Sequence, residues 1–104
     1  MNVEYRVEWS SKAASDLGEH VAFQRQVSEI AAEGVLSKVL SAGDSLTLFP
    51  ERFPEFSMPT NFPVVVRKCI VEGRYILLYG IQKDNVVKIY RVLDARRRFS
   101  GLLV

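Results

Sequence analysis

The chain has 104 residues, of which 48% are apolar and 25% are charged, a composition typical of soluble globular proteins. This length predicts a single domain, residues 1–104, with enough chain to bury a core. Cys69 is the one cysteine, which excludes an internal disulfide and favours a reducing compartment. The first residues do not resemble a signal peptide, and no apolar run approaches the roughly 18 residues of a membrane span. We therefore expect a cytoplasmic protein with no membrane segment.

The net charge of +2 conceals an asymmetry between the two halves of the chain. Residues 1–52 contain five Lys/Arg and eight Asp/Glu, a net charge of −3, whereas residues 53–104 contain nine and four, a net charge of +5. The basic residues crowd toward the end, at Arg91, Arg96, Arg97 and Arg98. A basic end indicates a polyanion or an acidic protein as partner, although a solvated surface explains it equally well.

The first quarter of the chain predicts a strand followed by a helix. Residues 3–9 alternate apolar and charged side chains, the period of a strand with one buried face. Ser10 or Ser11 is suited to cap a helix by accepting a bond from a free N–H. Apolar side chains then recur at helical spacing and form one stripe, at Ala13, Ala14, Leu17 and Val21.

A second helical run begins at Ser28 and contains two glycines, Gly34 and Gly43. We expect them to allow close packing against the first helix or the sheet; alternatively, Gly43 ends the helix. The segment LFPERFPEF, residues 48–56, follows. Its first two residues are predicted to complete the apolar face of the helix and Pro50 to end it. Residues 51–63 are predicted to pack against the body as a connection.

The second half of the chain predicts three strands. Residues 64–71 are rich in β-branched side chains, residues 74–81 are apolar on both faces, and residues 86–93 form the last strand. Polar turn residues separate these runs. The order of elements is therefore β-α-α-β-β-β. We expect an α+β fold in which two helices cover one face of an antiparallel four-stranded sheet, with the first strand at an edge.

Four segments, taken in this order, resemble the RelE/ParE superfamily of toxins from type II toxin–antitoxin systems. EWSSKAASDL (8–17) is similar to the strand end followed by Ser-x-x-Ala-x-x-Asp-Leu in family members, and LFPERFPEF to the hinge between their helices and sheet. GRYILLYGI (73–81) and a polar hairpin precede VLDARRRF (92–99), which is similar to the Val-Leu-x-x-Arg-Arg-x-Tyr ending of many ParE-like members. The resemblance covers nearly the whole chain.

The resemblance implies one of two modes of toxicity. RelE-like members cleave messenger RNA on the ribosome, whereas ParE-like members inhibit DNA gyrase without a known nuclease site. Both are neutralised by an antitoxin whose extended or helical tail wraps the toxin. The implied partners are a cognate antitoxin and either DNA gyrase or the ribosome with its mRNA.

The basic side chains of the second half are the candidates for binding RNA or a protein target. They are joined by one aromatic residue near the end of the chain: Arg67, Arg74, Arg91, Arg96, Arg97, Arg98 and Phe99. Arginine forms bidentate hydrogen bonds with phosphate and with carboxylate, so both kinds of partner fit. Position 99 holds Phe where the family motif often has Tyr, so no hydroxyl is offered there.

An RNA-cleaving site also needs a base and an acid, and the sequence does not indicate them. His20 is expected on the surface of the first helix, and Tyr75 and Tyr79 are expected to pack on the sheet. Arginine is always protonated and is therefore a poor base. No catalytic residue and no cofactor is predicted, and one cysteine with one histidine gives no metal site.

We favour a ParE-like inhibitor of DNA gyrase on these grounds. The alternatives are a RelE-like ribosome-dependent ribonuclease and a non-toxic binding domain that retains the fold. Because two helices and a sheet leave apolar surface between them, we also expect a groove between the helical pair and the sheet edge that holds a segment of the antitoxin.

Overall fold

The computed structural model describes residues 3–57 and 64–96. The predicted order of strands and helices is confirmed, and two short 3-10 turns lie between the second helix and the second strand. The elements are β1 Arg6–Trp9, α1 Ser11–Arg25, α2 Glu29–Asp44, the turns Ser45–Thr47 and Pro50–Arg52, β2 Val66–Val71, β3 Tyr75–Gln82 and β4 Val86–Asp94. The α+β class with a four-stranded sheet is confirmed as well.

The sheet has the strand order β1-β4-β3-β2, with β1 at an edge as expected. Strands β2, β3 and β4 form an antiparallel meander, but β1 pairs with β4 in parallel, so the sheet is mixed rather than wholly antiparallel.

The path of the helices explains the parallel pair. The Ser10 N–H donates to the Ile89 carbonyl, and α1 then continues beyond β1 along the rest of β4. The chain runs back in the opposite direction only along α2. It then reaches the start of β1, where the Thr47 carbonyl accepts from the Tyr5 N–H. The strand β2 therefore starts in the direction of β1, and two hairpins later β4 runs in that direction again.

The core lies between the two helices and one face of the sheet. Each helix begins at a serine whose hydroxyl accepts the N–H of the third residue along, from Ala13 to Ser10 and from Ala31 to Ser28, at 2.9 Å in both cases. The stripe predicted for α1 is buried except for its second alanine. The side chains with least exposure come from both layers, among them Ala13, Val39, Leu46, Leu77, Tyr79, Val87 and Ile89.

The two glycines of α2 behave differently. A Cβ built on Gly43 would lie 2.5 Å from Trp9 Cζ2 and 3.3 Å from Ile89 Cδ1, so only glycine lets α2 approach the sheet at this point. This confirms the expectation of close packing at Gly43, which lies inside the last turn of the helix. Within the part of the chain that the structure describes, nothing lies within 4 Å of a Cβ built on Gly34, so that expectation is wrong for Gly34.

The segment after α2 departs from the prediction. The helix ends at Asp44, before the two residues that were expected to complete its apolar face. Leu48 and Phe49 are instead 43% and 59% exposed, and Phe49 has φ of +49°, a region that bulky residues rarely occupy. Pro50 is buried and opens a 3-10 turn rather than ending the helix; its fixed φ suits a first helical position.

Arg52 and Tyr79 hold this turn in place. Arg52 Nη1 donates to the Leu48 carbonyl at 2.6 Å and to the Phe49 carbonyl at 3.1 Å, so the guanidinium binds main-chain carbonyls of the two residues between the 3-10 turns. The Tyr79 hydroxyl donates to the Pro50 carbonyl. Burial raises the pKa of Tyr79 to about 12, so the hydroxyl keeps its proton at physiological pH. The described part of the connection therefore packs on the body, as expected, and residues 58–63 lie outside the described residues.

A buried carboxylate fixes α1 on β4. Asp16 Oδ2 accepts from Arg91 Nε at 2.7 Å and from the Val92 N–H at 3.0 Å, and Oδ1 accepts from Arg91 Nη2 at 3.2 Å. The Asp16 side chain is 8% exposed and that of Arg91 26%. Charge-assisted bidentate bonds of this kind are among the strongest in proteins, and removing one partner leaves the other charge without compensation.

We therefore expect Asp16→Ala to lower the free energy of unfolding by about 3 kcal/mol, because Arg91 and the Val92 N–H lose their acceptor together. Urea unfolding followed by circular dichroism measures this. The matched control is Arg25→Ala, which removes the exposed pair with Glu29 and should cost less than about 1 kcal/mol. Equal losses in the two variants would contradict the assignment.

Candidate functional site

The arginine on β2 fastens the connection to the sheet. Arg67 Nη1 donates to the carbonyls of Glu51 and Phe53 at 3.1 and 2.8 Å. Its Nη2 lies 3.9 Å from a carboxylate oxygen of Glu55. The backbones of Glu55 and Arg67 also form an isolated antiparallel β-bridge. Arg67 thus holds the chain between α2 and β2 by donating hydrogen bonds to its main-chain carbonyls.

Three polar residues spaced four apart on α1 form a polar ridge: Asp16, His20 and Gln24. They lie beside the apolar stripe and point at the sheet. Asp16 binds Arg91, as described above, and His20 Nε2 lies 2.8 Å from the Val92 carbonyl. Asp16 and Gln24 are buried and His20 is half-buried. The expectation of a surface position for His20 is therefore wrong, and the i, i+4 spacing was the signal that could have revealed the ridge.

Arg74 lies at the far end of this ridge, just before β3. Its Nη2 is 3.6 Å from Asp94 Oδ2. In the amide orientation that satisfies both groups, the Gln24 oxygen accepts from Arg74 Nη2 at 2.8 Å and from Nη1 at 3.2 Å. The guanidinium also lies over the Tyr75 ring, 5.1 Å from its centroid. The Arg74 Nε is buried and has no hydrogen-bond partner among the described residues.

Asp94 ends β4 and joins two of the predicted arginines. Its carboxylate accepts from the Arg96 N–H at 3.0 Å and lies 3.7 Å from Arg96 Nε. Burial acts to raise the pKa of Asp94, but the Arg96 N–H and the charges of Arg74 and Arg96 outweigh it. The pKa of Asp94 therefore lies below its ordinary value, and the carboxylate is ionised at neutral pH.

The predicted arginines separate into two groups by exposure. The side chains of Arg67, Arg74 and Arg91 are 22%, 25% and 26% exposed, and each is bonded within the fold. The side chain of Arg96 is 65% exposed. The remaining candidates, Arg97, Arg98 and Phe99, lie outside the described residues. The structure thus brings Arg74 and Arg96 together around Asp94, places Arg91 earlier on β4, and places Arg67 on β2 against the connection.

The predicted tyrosines pack on the sheet, as expected. Tyr75 and Tyr79 are both buried on the face of β3 that the helices cover. The Tyr75 ring centroid lies 5.2 Å from that of His20. The thiol of Cys69 is buried as well, and burial raises its pKa. Over residues 3–57 and 64–96, no three His, Cys, Asp or Glu side chains gather in the way a metal site requires.

A groove of about 390 Å3 opens between the end of α1, the first half of α2 and the β2–β3 turn. We call it the α2 groove. Its apolar lining comes mostly from one side of α2, at Ile30, Ala31, Gly34, Val35 and Val39. Its polar lining comes from all three elements, at Gln24, Lys38, Glu72 and Arg74. A groove between the helical pair and the sheet is where an antitoxin segment was expected.

Comparison with known proteins identifies the family. A sequence model described as "ParE toxin of type II toxin-antitoxin system, parDE" matches residues 7–99. The chain belongs to the ParE toxin family. The match runs from β1 to Phe99 and so includes the polar ridge, the α2 groove and the whole arginine series.

A solved structure titled "Chromosomal ParDE TA system from P. aeruginosa" has the same fold as this ParE-family chain. The TM-score is 0.68 and the sequence identity 18%, and the alignment covers 88% of this chain and 96% of that one. At this identity the likeness concerns the fold. A search of curated proteins gave no match. None of the helices in the described part of the chain is long and apolar enough to cross a membrane.

The depressed pKa of Asp94 predicts a pH dependence of stability. A carboxylate with a lowered folded-state pKa contributes stability above its unfolded-state pKa, near 4, and loses that contribution as pH falls through the folded-state pKa. We therefore expect Asp94→Asn to destabilise the protein at pH 7 and to differ progressively less from the original chain as pH is lowered below about 4. Urea unfolding at pH 7, 5 and 3 measures the difference. A difference that stays constant across this range would contradict the assignment.

Proposed function

We propose that this chain is a toxin that stops growth by binding DNA gyrase and that a cognate antitoxin holds it inactive. Membership of the ParE family supplies the toxin–antitoxin context. The choice of a binding mechanism over RNA cleavage rests on one observation: the acid–base groups near the arginines are already bonded within the fold.

A ribonuclease needs groups that exchange protons with the substrate. Here His20 Nε2 is bonded to the Val92 carbonyl, and the Asp16 carboxylate is bonded to Arg91. The Asp94 carboxylate is bonded to the Arg96 N–H and lies beside Arg74. A proton shuttle would need these groups to be free. Because they are bonded within the fold, we favour the inhibitor over the ribonuclease.

Among the predicted candidates, Arg96 is the described residue best placed for contact with a target. Arg96 projects its side chain into solvent, and its nearest carboxylate, Asp94, is 3.7 Å away. The other three described candidates, Arg67, Arg74 and Arg91, are bonded within the fold. We therefore assign target contact to Arg96, and we propose from the sequence that Arg97, Arg98 and Phe99 share this role. Arginine and aromatic side chains are the residues that most often dominate protein interfaces.

A supercoiling assay with purified gyrase tests the proposal. We expect the chain to inhibit supercoiling and Arg96→Ala to raise the inhibitory concentration about tenfold, since losing one interface anchor costs roughly 1.4 kcal/mol. The matched control is Arg6→Ala, which also removes an exposed arginine with one carboxylate neighbour, Glu8, and should change the value less than about twofold.

Two outcomes would count against the proposal. If the original chain leaves gyrase active at concentrations that arrest cell growth, gyrase is not the target. If Arg96→Ala inhibits as well as Arg6→Ala does, the contact surface lies elsewhere. Cleavage of mRNA on translating ribosomes by the purified chain would favour the ribonuclease.

A further inference from the structure

Asp94 is a buried carboxylate at the point where the chain leaves the sheet. It is the last residue of β4, and its side chain is 6% exposed. Ala95 and Arg96 follow in a turn. Arg96 is the residue to which target contact was assigned above, and its side chain lies mostly in solvent. Asp94 therefore lies where the direction of the chain toward Arg96 is decided.

The two carboxylate oxygens of Asp94 have different neighbours. Oδ1 accepts the Arg96 N–H at 3.0 Å, which is the bond of an Asx turn, in which an Asp or Asn side chain binds the backbone two residues later. Oδ2 lies 3.6 Å from Arg74 Nη2. One oxygen thus holds the turn, and the other faces the body of the protein.

The turn is anchored on both of its N–H groups. The Ala95 N–H donates to the Arg74 carbonyl just before β3, and the Arg96 N–H donates to the Asp94 side chain. The Arg74 guanidinium is in turn bonded to Gln24 of α1. The backbone of Arg96 therefore has a defined position relative to β3, β4 and α1.

The ion pair between Asp94 and Arg96 is weaker than the backbone bond. Arg96 Nε lies 3.7 Å from Asp94 Oδ1, which is too far for a hydrogen bond. The Arg96 side chain is also largely exposed, and exposed ion pairs contribute little to stability. The guanidinium can therefore exchange Asp94 for an acidic group on a partner while the backbone bond stays in place.

We propose that Asp94 is a positioning residue for target contact: its Oδ1 holds the backbone of Arg96 so that the guanidinium projects from a defined place. This rests on the proposed function, in which Arg96 contacts gyrase. It adds a residue that acts through Arg96 without touching the target, and it assigns the effect to the acceptor rather than to the charge. A side chain on a preorganised turn loses less freedom on binding than one on a mobile turn.

Three substitutions of Asp94 separate the acceptor from the charge. Asp94→Ala removes both. Asp94→Asn keeps an oxygen acceptor at the same distance from the backbone and removes the charge. Asp94→Glu keeps the charge but moves it one methylene farther out, away from the geometry of an Asx turn. Each purified variant is assayed for inhibition of gyrase supercoiling at a temperature at which circular dichroism shows it to be folded.

We expect Asp94→Ala and Asp94→Glu to raise the inhibitory concentration about fivefold, the equivalent of one hydrogen bond. Asp94→Asn should recover most of this loss and stay within about twofold of the original chain, because the Arg96 N–H keeps its acceptor. If Asp94→Asn inhibits as poorly as Asp94→Ala, or if Asp94→Glu inhibits better than Asp94→Asn, the proposal is overturned.

A double variant distinguishes positioning from a general loss of structure. If Asp94 acts through Arg96, the combination of Asp94→Ala with Arg96→Ala should inhibit about tenfold less than the original chain, as Arg96→Ala alone does. Independent effects would multiply to about fiftyfold and would contradict the proposal. The matched control is Glu8→Ala, which removes a carboxylate that also lies between two cations, Arg6 at 3.0 Å and Lys88 at 3.8 Å, and should change inhibition less than about twofold.

Hydrogen exchange of the Arg96 amide gives a readout that does not involve gyrase. We expect this amide to be protected in the original chain and in Asp94→Asn and to exchange faster in Asp94→Ala, since only the last variant removes the acceptor. Equal exchange in all three would overturn the positioning role. An original chain that leaves gyrase active would overturn the proposed function, whereas an original chain that inhibits as Asp94→Ala does would overturn the positioning role alone.

Discussion

The bond from Asp16 to Arg91 and to the Val92 N–H is the interaction on which the rest of the structure depends. It holds α1 against the half of β4 that β1 does not reach, and so it sets where α2 can return over the sheet. The return of α2 in turn determines the direction of β2 and the parallel pairing of β1. The same placement creates the α2 groove, because the end of α1 forms one of its walls.

This architecture divides the basic residues between structure and binding. Arginines that look alike in the sequence differ in their partners: Arg67 binds carbonyls of the connection, Arg91 binds a buried carboxylate, and Arg74 joins Gln24 to Asp94. Arg96 keeps its side chain in solvent. Three of the nine basic residues in the second half of the chain therefore hold the helices and the connection to the sheet. What remains for partners is an exposed arginine at the end of β4 and a groove with an apolar floor.

Local patterns predicted the fold well, and contacts between distant residues limited the prediction of the site. Period-two and helical spacing located the strands and helices, and the serine caps followed from their chemistry. The parallel edge strand was missed because pairing direction depends on the path of the whole chain. The role of Arg91 was missed because Asp16 lies 75 residues away. Gly34 and Gly43 look identical in the sequence, and only the neighbours of each in the fold distinguish packing from an open groove.

We propose that this ParE-family chain binds its target and performs no chemistry on RNA. Pulse-labelling of DNA and protein synthesis in the same cells, after expression without antitoxin, tests this most directly. We expect DNA synthesis to fall first, while protein synthesis continues until the arrest becomes general. An immediate loss of protein synthesis with DNA synthesis still running would contradict it, and would require a proton shuttle among groups that the fold holds bonded.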